Sequence, residues 1–350
     1  MFKFRKRIAI DLGTTSVLVY SRSNGLLLNE PSVVAVNRFT NKVIAVGEEA
    51  KDMLGKTPGH IVAIRPLADG VIKDYESTER MLHYYIKKAL GRTLIKPNVI
   101  ICVPSGATQV QKRAVKQAGM KAGANEVHLI EEPLAAAIGS GIEIENSRGN
   151  LIIDIGGGTT DIAVISRGGI VVSESIRVAG NDFDNAILDY IRKKHNVIIG
   201  ERTAEKIKLE IGTVESQSNT YLANGRNLFT SLPEQIEITS EELKVAFSEN
   251  IEEISEAVKR VLAKTPPELV SDIFDSGAIL TGGGALIKGL EDILTEKTKV
   301  RMIIAKHPIT AVVRGTGKSL NWINKLDEVE DSKYELSRRI VEENEKLRRR

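Results

Sequence analysis

The sequence predicts an α/β protein of two similar halves, and three observations predict it. Short β-like runs alternate with amphipathic helical segments, the pattern of stacked strand and helix layers rather than of an all-helical or all-β fold. The 350 residues suffice for about two domains, each with its own core. One strand–turn–strand signature also occurs twice. Asp11-Leu12-Gly13-Thr14-Thr15 follows the apolar run Ile8-Ala9-Ile10, and Asp154-Ile155-Gly156-Gly157-Gly158-Thr159-Thr160 follows Leu151-Ile152-Ile153. Each returns to β-like sequence, Val17–Tyr20 and Ile162–Ile165. A hairpin repeated once per half implies a duplicated domain with a cleft between the copies.

The elements follow in order. Residues 7–11 and 16–20 predict strands around the first Gly-Thr turn, and 26–46 a small meander with turns at Asn29-Glu30-Pro31 and Thr40-Asn41-Lys42. A helix over 76–90 places Thr78, Met81, Leu82, Tyr85, Ile86 and Ala89 on one face. A strand at 98–103 precedes a helix over 107–122 with Val110, Ala114 and Ala118 in register; a strand at 126–130 follows, and Pro133 opens a helix at a position proline favours. The second half starts with a strand at 150–154, then helices near 183–194 and 201–211. Asn224-Gly225 signals a hairpin turn, and Thr239 with Glu242 a capping box for a helix over 240–263. A strand at 277–281 leads through three glycines to a helix over 285–295.

Composition excludes several classes. Hydrophobic residues make up 42% and charged residues 27%, unlike a disordered or fibrous chain. A net charge of +3 makes no case for nucleic acid. Cys102 is the single cysteine, so no intrachain disulfide forms; within the apolar run Val99–Val103 it reads as a small core residue, and a cytoplasmic setting fits that usage. His60, His83, His128, His195 and His307 are scattered, so no structural zinc is expected. No apolar run approaches the roughly 20 residues that span a bilayer, and the basic N-terminus lacks the apolar stretch of a secretory signal.

The repeated turns carry the chemistry. Glycines let backbone N–H groups approach polyphosphate, and threonine hydroxyls add donors. Gly13, Thr14 and Thr15 in the first turn, with Gly156, Gly157, Gly158 and Thr159 in the second, read as a phosphate cradle. An aspartate repels phosphate but holds Mg²⁺, usually through water, which assigns Asp11 and Asp154 to the metal shell. The alternative is two ordinary β-turns, which also use Asp and Gly. After Ala278-Ile279-Leu280, Thr281-Gly282-Gly283-Gly284 allows a flat base or ribose to lie on bare backbone, or makes a tight strand-to-helix turn that one glycine would satisfy. Glu131-Glu132-Pro133 at a helix start either orients a water for in-line attack on phosphorus or complements the helix dipole by about 0.3–1 kcal/mol. Glu205 and Lys208, three apart on one helix, read by themselves as a surface ion pair. Gly315-Thr316-Gly317-Lys318-Ser319 imitates the end of a Walker A loop, but Val312 stands where that loop needs glycine, and Ala311, Val312, Leu320 and Ile323 suit a helix.

Together these residues resemble the phosphate, connecting and adenosine motifs shared by actin, heat-shock ATPase chaperones and sugar kinases. The resemblance to the MreB family is closer. It is carried by Asn29-Glu30-Pro31-Ser32, Gly55-Lys56-Thr57-Pro58, Arg65-Pro66-Leu67-Ala68-Asp69-Gly70-Val71-Ile72, Gly200-Glu201-Arg202-Thr203-Ala204-Glu205, Lys264-Thr265-Pro266-Pro267-Glu268-Leu269 and Leu280-Thr281-Gly282-Gly283-Gly284, and spans residues 7–325. It implies an actin-like ATPase fold of four subdomains around a central nucleotide cleft. These are IA (1–32, 66–145 and 318–326), IB (33–65), IIA (146–181 and 247–317) and IIB (182–246), with a charged C-terminal tail over 327–350. It implies ATP and Mg²⁺ as cofactors, Asp11 and Asp154 organising the metal, Glu132 positioning the hydrolytic water with help from Thr159, and Glu205, Lys208, Gly282, Gly283 and Gly284 holding adenosine. It further implies paired homopolymeric filaments at the inner face of the cell membrane, ATP hydrolysis tied to assembly, a role in cell shape, and membrane morphogenesis proteins among the partners.

Three departures from the family pattern stand out. Asp161 replaces a frequent glutamate and is expected to matter little, the N-terminus is short, and the segment 326–350 extends beyond the usual end. Membrane contact has two candidates. Met1–Arg7 carries four cations and the aromatic pair Phe2 and Phe4, which suits an anionic surface at about 1 kcal/mol per cation. The loop Leu94-Ile95-Lys96-Pro97 resembles the family's membrane-insertion loop. A frayed terminus and an edge strand are the plain alternatives. In the tail, a stripe of Val329, Leu336, Ile340 and Leu347 suits a solvated helix, a lipid contact or a partner helix. A small-molecule kinase on the same fold is the alternative function; it would need an acceptor pocket with its own base, and Glu132 better suits water. A chaperone would carry a substrate-binding region after the ATPase, where the charged tail stands instead.

Overall fold

The computed structural model describes residues 6–91 and 95–320. Phe2, Phe4, Leu94, Ile323 and the tail over 327–350 lie outside the described residues; Ile95 lies within them, half-buried just before a strand.

The first half contains β1 (Arg7–Leu12), β2 (Ser16–Ser21), β3 (Gly25–Pro31), β4 (Val34–Asn37), β5 (Lys42–Val46), α1 (Glu48–Asp52), β6 (Ile61–Ile64), the two-residue strands β7 (Leu67–Ala68) and β8 (Val71–Ile72), α2 (Tyr75–Leu90), β9 (Asn98–Val103), α3 (Gln109–Lys121), β10 (Glu126–Glu131) and α4 (Glu132–Ser140). The second contains β11 (Asn150–Ile155), β12 (Thr160–Ser166), β13 (Gly169–Ile176), α5 (Gly180–His195), β14 (Val197–Ile198), α6 (Glu201–Ile211), β15 (Thr220–Asn227), β16 (Pro233–Thr239), α7 (Ser240–Ala246), α8 (Ser248–Lys264), α9 (Pro267–Ser276), β17 (Ala278–Thr281), α10 (Leu290–Thr298), β18 (Met302–Ile304) and α11 (Ala311–Ser319).

The duplication is visible in the strand order. One five-stranded sheet runs β3-β2-β1-β9-β10 and the other β13-β12-β11-β17-β18. In each, three strands form an antiparallel meander and the next two join in parallel after helical crossovers. Alternation sorts the side chains. From β1, Ile8 and Ile10 enter an outer core with α2 and α3, whereas Ala9 enters a core shared by both sheets. That shared core joins Ile100 and Cys102 of β9, Ile152 of β11, Ala163 and Ile165 of β12, and the alanines of α4. The two sheets thus face each other across α4 and α11. Two small sheets, β5-β4-β6 and β14-β15-β16, stand apart from the large ones.

Several expectations are corrected. Asn29-Glu30-Pro31 is no turn: it ends β3, where the Pro31 carbonyl accepts a 2.7 Å hydrogen bond from the buried Tyr85 hydroxyl, and the expected meander is divided between two sheets. Val110 is 75% exposed; the Thr108–Gln111 capping box starts α3 so that Val115 and Gly119 face inward beside the expected Ala118. Asn224-Gly225 lies inside β15, paired with Gln235 and Glu234, because β14 passes so close that a Cβ on Gly225 would stand 2.6 Å from the Ile198 carbonyl oxygen. The Thr239–Glu242 capping box exists but starts only α7. The chain breaks at Phe247, whose buried ring meets Phe183 edge-on at 5.0 Å, before α8 continues. The three glycines lead into one 3₁₀ turn, Gly284–Leu286, and the α-helix begins only at Leu290.

The Walker A imitation is a helix, as expected from its apolar pattern. Its glycines serve packing: a Cβ on Gly315 would stand 1.7 Å from the Ala135 carbonyl oxygen, and one on Gly139 would stand 1.8 Å from that of Ala311. Lys318 donates to the Ile138 carbonyl at 2.9 Å. Among the described residues, no helix is long and apolar enough to cross a membrane.

Candidate functional site

The two repeated turns meet. A Cβ added to Gly157 would stand 1.8 Å from Thr15 Oγ1, and one on Gly158 2.6 Å from Thr14 Oγ1. Only bare backbone fits between the threonines of the first turn and the chain of the second. Neighbours brace both. Gly70 donates its N–H to Thr14 Oγ1 at 3.1 Å, Thr15 Oγ1 donates to Asn181 Oδ1 at 3.4 Å, and Asn181 donates its N–H to the Gly157 carbonyl at 2.8 Å.

Behind the turns stand four carboxylates. Asp11 stands one residue before the end of β1, and Cys102 on the parallel neighbour β9 donates its thiol to Asp11 Oδ1 at 3.1 Å. The core cysteine therefore also faces the site, and burial holds its thiol protonated by pushing its pKa well up. Asp154 lies beside Thr281 in the parallel register of β11 and β17, and Thr281 donates to Asp154 Oδ1 at 2.6 Å. Asp161 is fully buried and accepts from the backbone N–H and the hydroxyl of Ser105, each at 3.0 Å. Glu132 opens α4, and its neighbour Glu131 turns away to pair with Lys112 on α3 at 3.3 Å.

Burial raises the proton affinity of all four. It lifts Asp11 to about 6 against the smaller pull of the Cys102 thiol, and Asp154 to about 7 against the Thr281 hydroxyl. Asp161 is raised by burial although the Ser105 donors oppose it. Glu132 is pushed well above the carboxylate range, first by burial and then by the charges of Asp161, Asp11 and Asp154. Crowded acids of this kind fit a divalent cation, which would relieve their mutual repulsion. Among the described residues no three acidic, His or Cys side chains converge as a direct cage, so the donor set fits an ion held through water.

The adenosine candidates divide. Gly282 has φ +82°, and a Cβ there would stand 2.1 Å from the Ile155 carbonyl oxygen; Gly284 is likewise pressed against Ile155, but Gly283 faces open space. Two of the three glycines are thus required by the tight turn, leaving Gly283 as the bare surface. Glu205 and Lys208 do not form the expected ion pair with each other. Glu205 reaches across to Lys51 on α1 at 3.0 Å, while Lys208 pairs with Asp184 at 2.8 Å and donates to the Gly180 carbonyl at 2.7 Å. Gly180 in turn donates to the Gly156 carbonyl at 3.0 Å, which links Lys208 to the second turn.

Sequence reasoning missed Gly70, Cys102 and Asn181 as neighbours of the site, placed Thr281 at the glycine turn without its bond to Asp154, and discounted Asp161. Asp69-Gly70 carried a signal in its turn-forming dipeptide, and both residues adopt positive φ. The others carried none, because strand register and chain crossing bring them in.

Comparison with known proteins follows the same lines. A family model described as MreB/Mbl protein matches residues 5–328. The chain is 50% identical to the cell shape-determining protein Mbl of Bacillus cereus over 326 residues, covering 92% of this chain and 98% of the relative. It is 46% identical to the cell shape-determining protein MreB of Escherichia coli over 329 residues, covering 92% and 95%. Among solved structures, MreB5 of Spiroplasma citri bound to AMPPNP superposes with a TM-score of 0.88 at 40% identity over 94% of this chain and 99% of that one, and its ADP-bound structure also with 0.88. The MamK double helical filament, at 22% identity, has a TM-score of 0.78 over 91% and 99% and attests to the shared actin-like fold.

Proposed function

This chain belongs to the MreB/Mbl family, and from that premise we propose that it is an ATP-hydrolysing, actin-like protein that assembles into membrane-associated filaments and determines cell shape. The observation that carries the proposal is the meeting of two glycine-threonine turns in front of buried carboxylates. The adenine nucleotides bound to the Spiroplasma citri relative support ATP as ligand, and the names of the Mbl and MreB relatives support the role in cell shape over a small-molecule kinase.

In this reading the backbone of Gly13 and Gly156–Gly158 and the hydroxyls of Thr14, Thr15 and Thr159 bind the phosphates, and Gly283 with Glu205 and Lys208 borders the nucleoside. Asp11 and Asp154 hold Mg²⁺ through water. When bound, the ion offsets the phosphate charge and that of the carboxylates. Glu132, at the start of α4 among the buried acids, orients the attacking water. Thr159 helps to hold that water. The fourfold subdomain division belongs to the same proposal; the separate small core of Val33, Ala35, Ala45 and Ala50 supports a distinct IB.

Sedimentation with ATP, with ADP and without nucleotide, each with and without anionic liposomes, tests this function. Nucleotide-dependent pelleting, filaments by microscopy, and phosphate release reduced at least about a hundredfold in Glu132→Ala with ATP still bound are expected. A protein that stays monomeric throughout removes the filament and restores the kinase.

A further inference from the structure

A second connection crosses between the halves beneath the facing turns. Asp161 lies directly opposite Asp154 in the antiparallel register of β11 and β12, so both carboxylates project from the same face of the sheet. Like charges placed in this way destabilise a sheet, and burying one of them costs more unless donors compensate. The two nearest donors, each at 3.0 Å, are the N–H and the hydroxyl of Ser105, ahead of the Ser175 and Thr159 hydroxyls of the second half. Ser105 belongs to the first half, in the turn after β9 that the 3.1 Å bond from the Ala107 N–H to the Pro104 carbonyl closes.

That turn is itself held near the phosphate cradle. A Cβ on Gly70 would stand 2.5 Å from Pro104 Cγ and 3.2 Å from the Thr159 methyl, and Gly70 donates its N–H to Thr14 Oγ1. On the other side, a Cβ on Gly106 would stand 3.3 Å from Ser175 Cβ on β13. Contacts therefore run in a closed circuit from Thr14 through Gly70, Pro104 and Ser105 to Asp161, and back along β12 to Thr159. Asp161 is the charged member of that circuit and the point where it passes from one half to the other.

We infer that Asp161 is a positioning residue that fastens the Ser105 turn of the first half to the second phosphate turn, so that closure of the halves and placement of Thr159 and Asp154 are one movement. The inference rests on the hydrolytic function proposed above for its consequence, though not for the fastening itself. It separates binding from turnover: the nucleotide can dock with the fastening broken, but the reacting groups are then misplaced.

The test measures ATP affinity, phosphate release under single turnover, and hydrogen exchange of the Ser105 amide in the full chain. In Asp161→Ala, the Ser105 amide is expected to exchange at least about tenfold faster and phosphate release to fall by roughly tenfold to a hundredfold, the loss a displacement on the order of 1 Å produces, with ATP affinity within about threefold. Asp161→Asn keeps the acceptor oxygen and recovers release to within about fivefold. Ser105→Ala, at a half-exposed site that leaves the fold intact, lowers release severalfold and adds nothing in the Asp161→Ala background. Equal exchange of the Ser105 amide with and without Asp161, or losses that add in the double variant, overturns the inference. A wild-type chain that binds ATP but releases no phosphate sinks the hydrolytic reading alone, because amide exchange still decides whether Asp161 holds Ser105.

Discussion

Four acids with raised proton affinity make the cleft sensitive to pH in a direction that can be worked out. Asp11 at about 6 and Asp154 at about 7 lie above their ordinary 3.8, so the folded protein retains protons that the unfolded chain has released. Their contribution to stability is complete below about pH 4 and is lost as pH rises through 6 and 7. The melting temperature of protein freed of nucleotide and Mg²⁺ should therefore fall between about pH 5 and 7.5, and Mg²⁺ with ADP should reduce that fall. A melting temperature that rises across this window in the stripped protein would contradict the burial of these groups. Gly157 offers a second test. With Thr15 Oγ1 where its Cβ would go, Gly157→Ala should part the two turns and weaken ATP binding at least about tenfold by titration, an effect of about 1.4 kcal/mol or more. Asp11, Asp154 and the glycines were legible because a strand followed by an acid and small residues is a local pattern. Asp161 was discounted because its importance comes from Ser105, 56 positions away in the chain.

Helices α4 and α11 show how one local motif can carry two meanings. Gly315-Thr316-Gly317-Lys318-Ser319 looks like a phosphate loop, yet Gly315 lets two helix backbones approach, Gly317 makes room for the Tyr20 ring, and Lys318 caps the Ile138 carbonyl. Gly315→Ala should cost about 1–3 kcal/mol in denaturant unfolding, because the clash is with backbone and cannot be relieved by a rotamer change. Gly59→Ala, where a Cβ meets nothing within 4 Å, should change stability by less than about 0.5 kcal/mol, and Lys318→Ala should leave ATP affinity unchanged. Elements with strong local signals were read well. The Thr239–Glu242 capping box, the face of α2 and the proline at the start of α4 all stand where the pattern placed them. Asn224-Gly225 misled because glycine answered a close approach by β14 rather than the needs of a turn. Pairing between distant strands outweighed the local preference.

Across the cleft, α1 and the residue after β6 in the first half meet α6 of the second through Lys51–Glu205 at 3.0 Å, Asp52–Arg202 at 2.9 Å and Arg65–Glu201 at 3.9 Å. Each pair is partly exposed and worth about 0–1 kcal/mol, so together they form a weak clasp. Lys51→Ala should accelerate release of a fluorescent ATP analogue by no more than about fivefold, and raising salt from about 50 to 500 mM should shrink the difference. Release that ignores salt would remove the clasp. Beneath it, the identical order of the two large sheets makes the duplication a property of topology as well as of motif. Periodicity and the paired hairpins were enough to establish α/β layering and two halves, and the motif residues carried the resemblance to actin-like proteins, because these depend on neighbours within a few residues along the chain. The facing of Gly157 with Thr15, the Ser105–Asp161 bridge, the Cys102–Asp11 contact and the exchange of partners by Glu205 were settled only when the halves packed together. Packing unites side chains dozens to hundreds of positions apart, and no local pattern records which of them will meet.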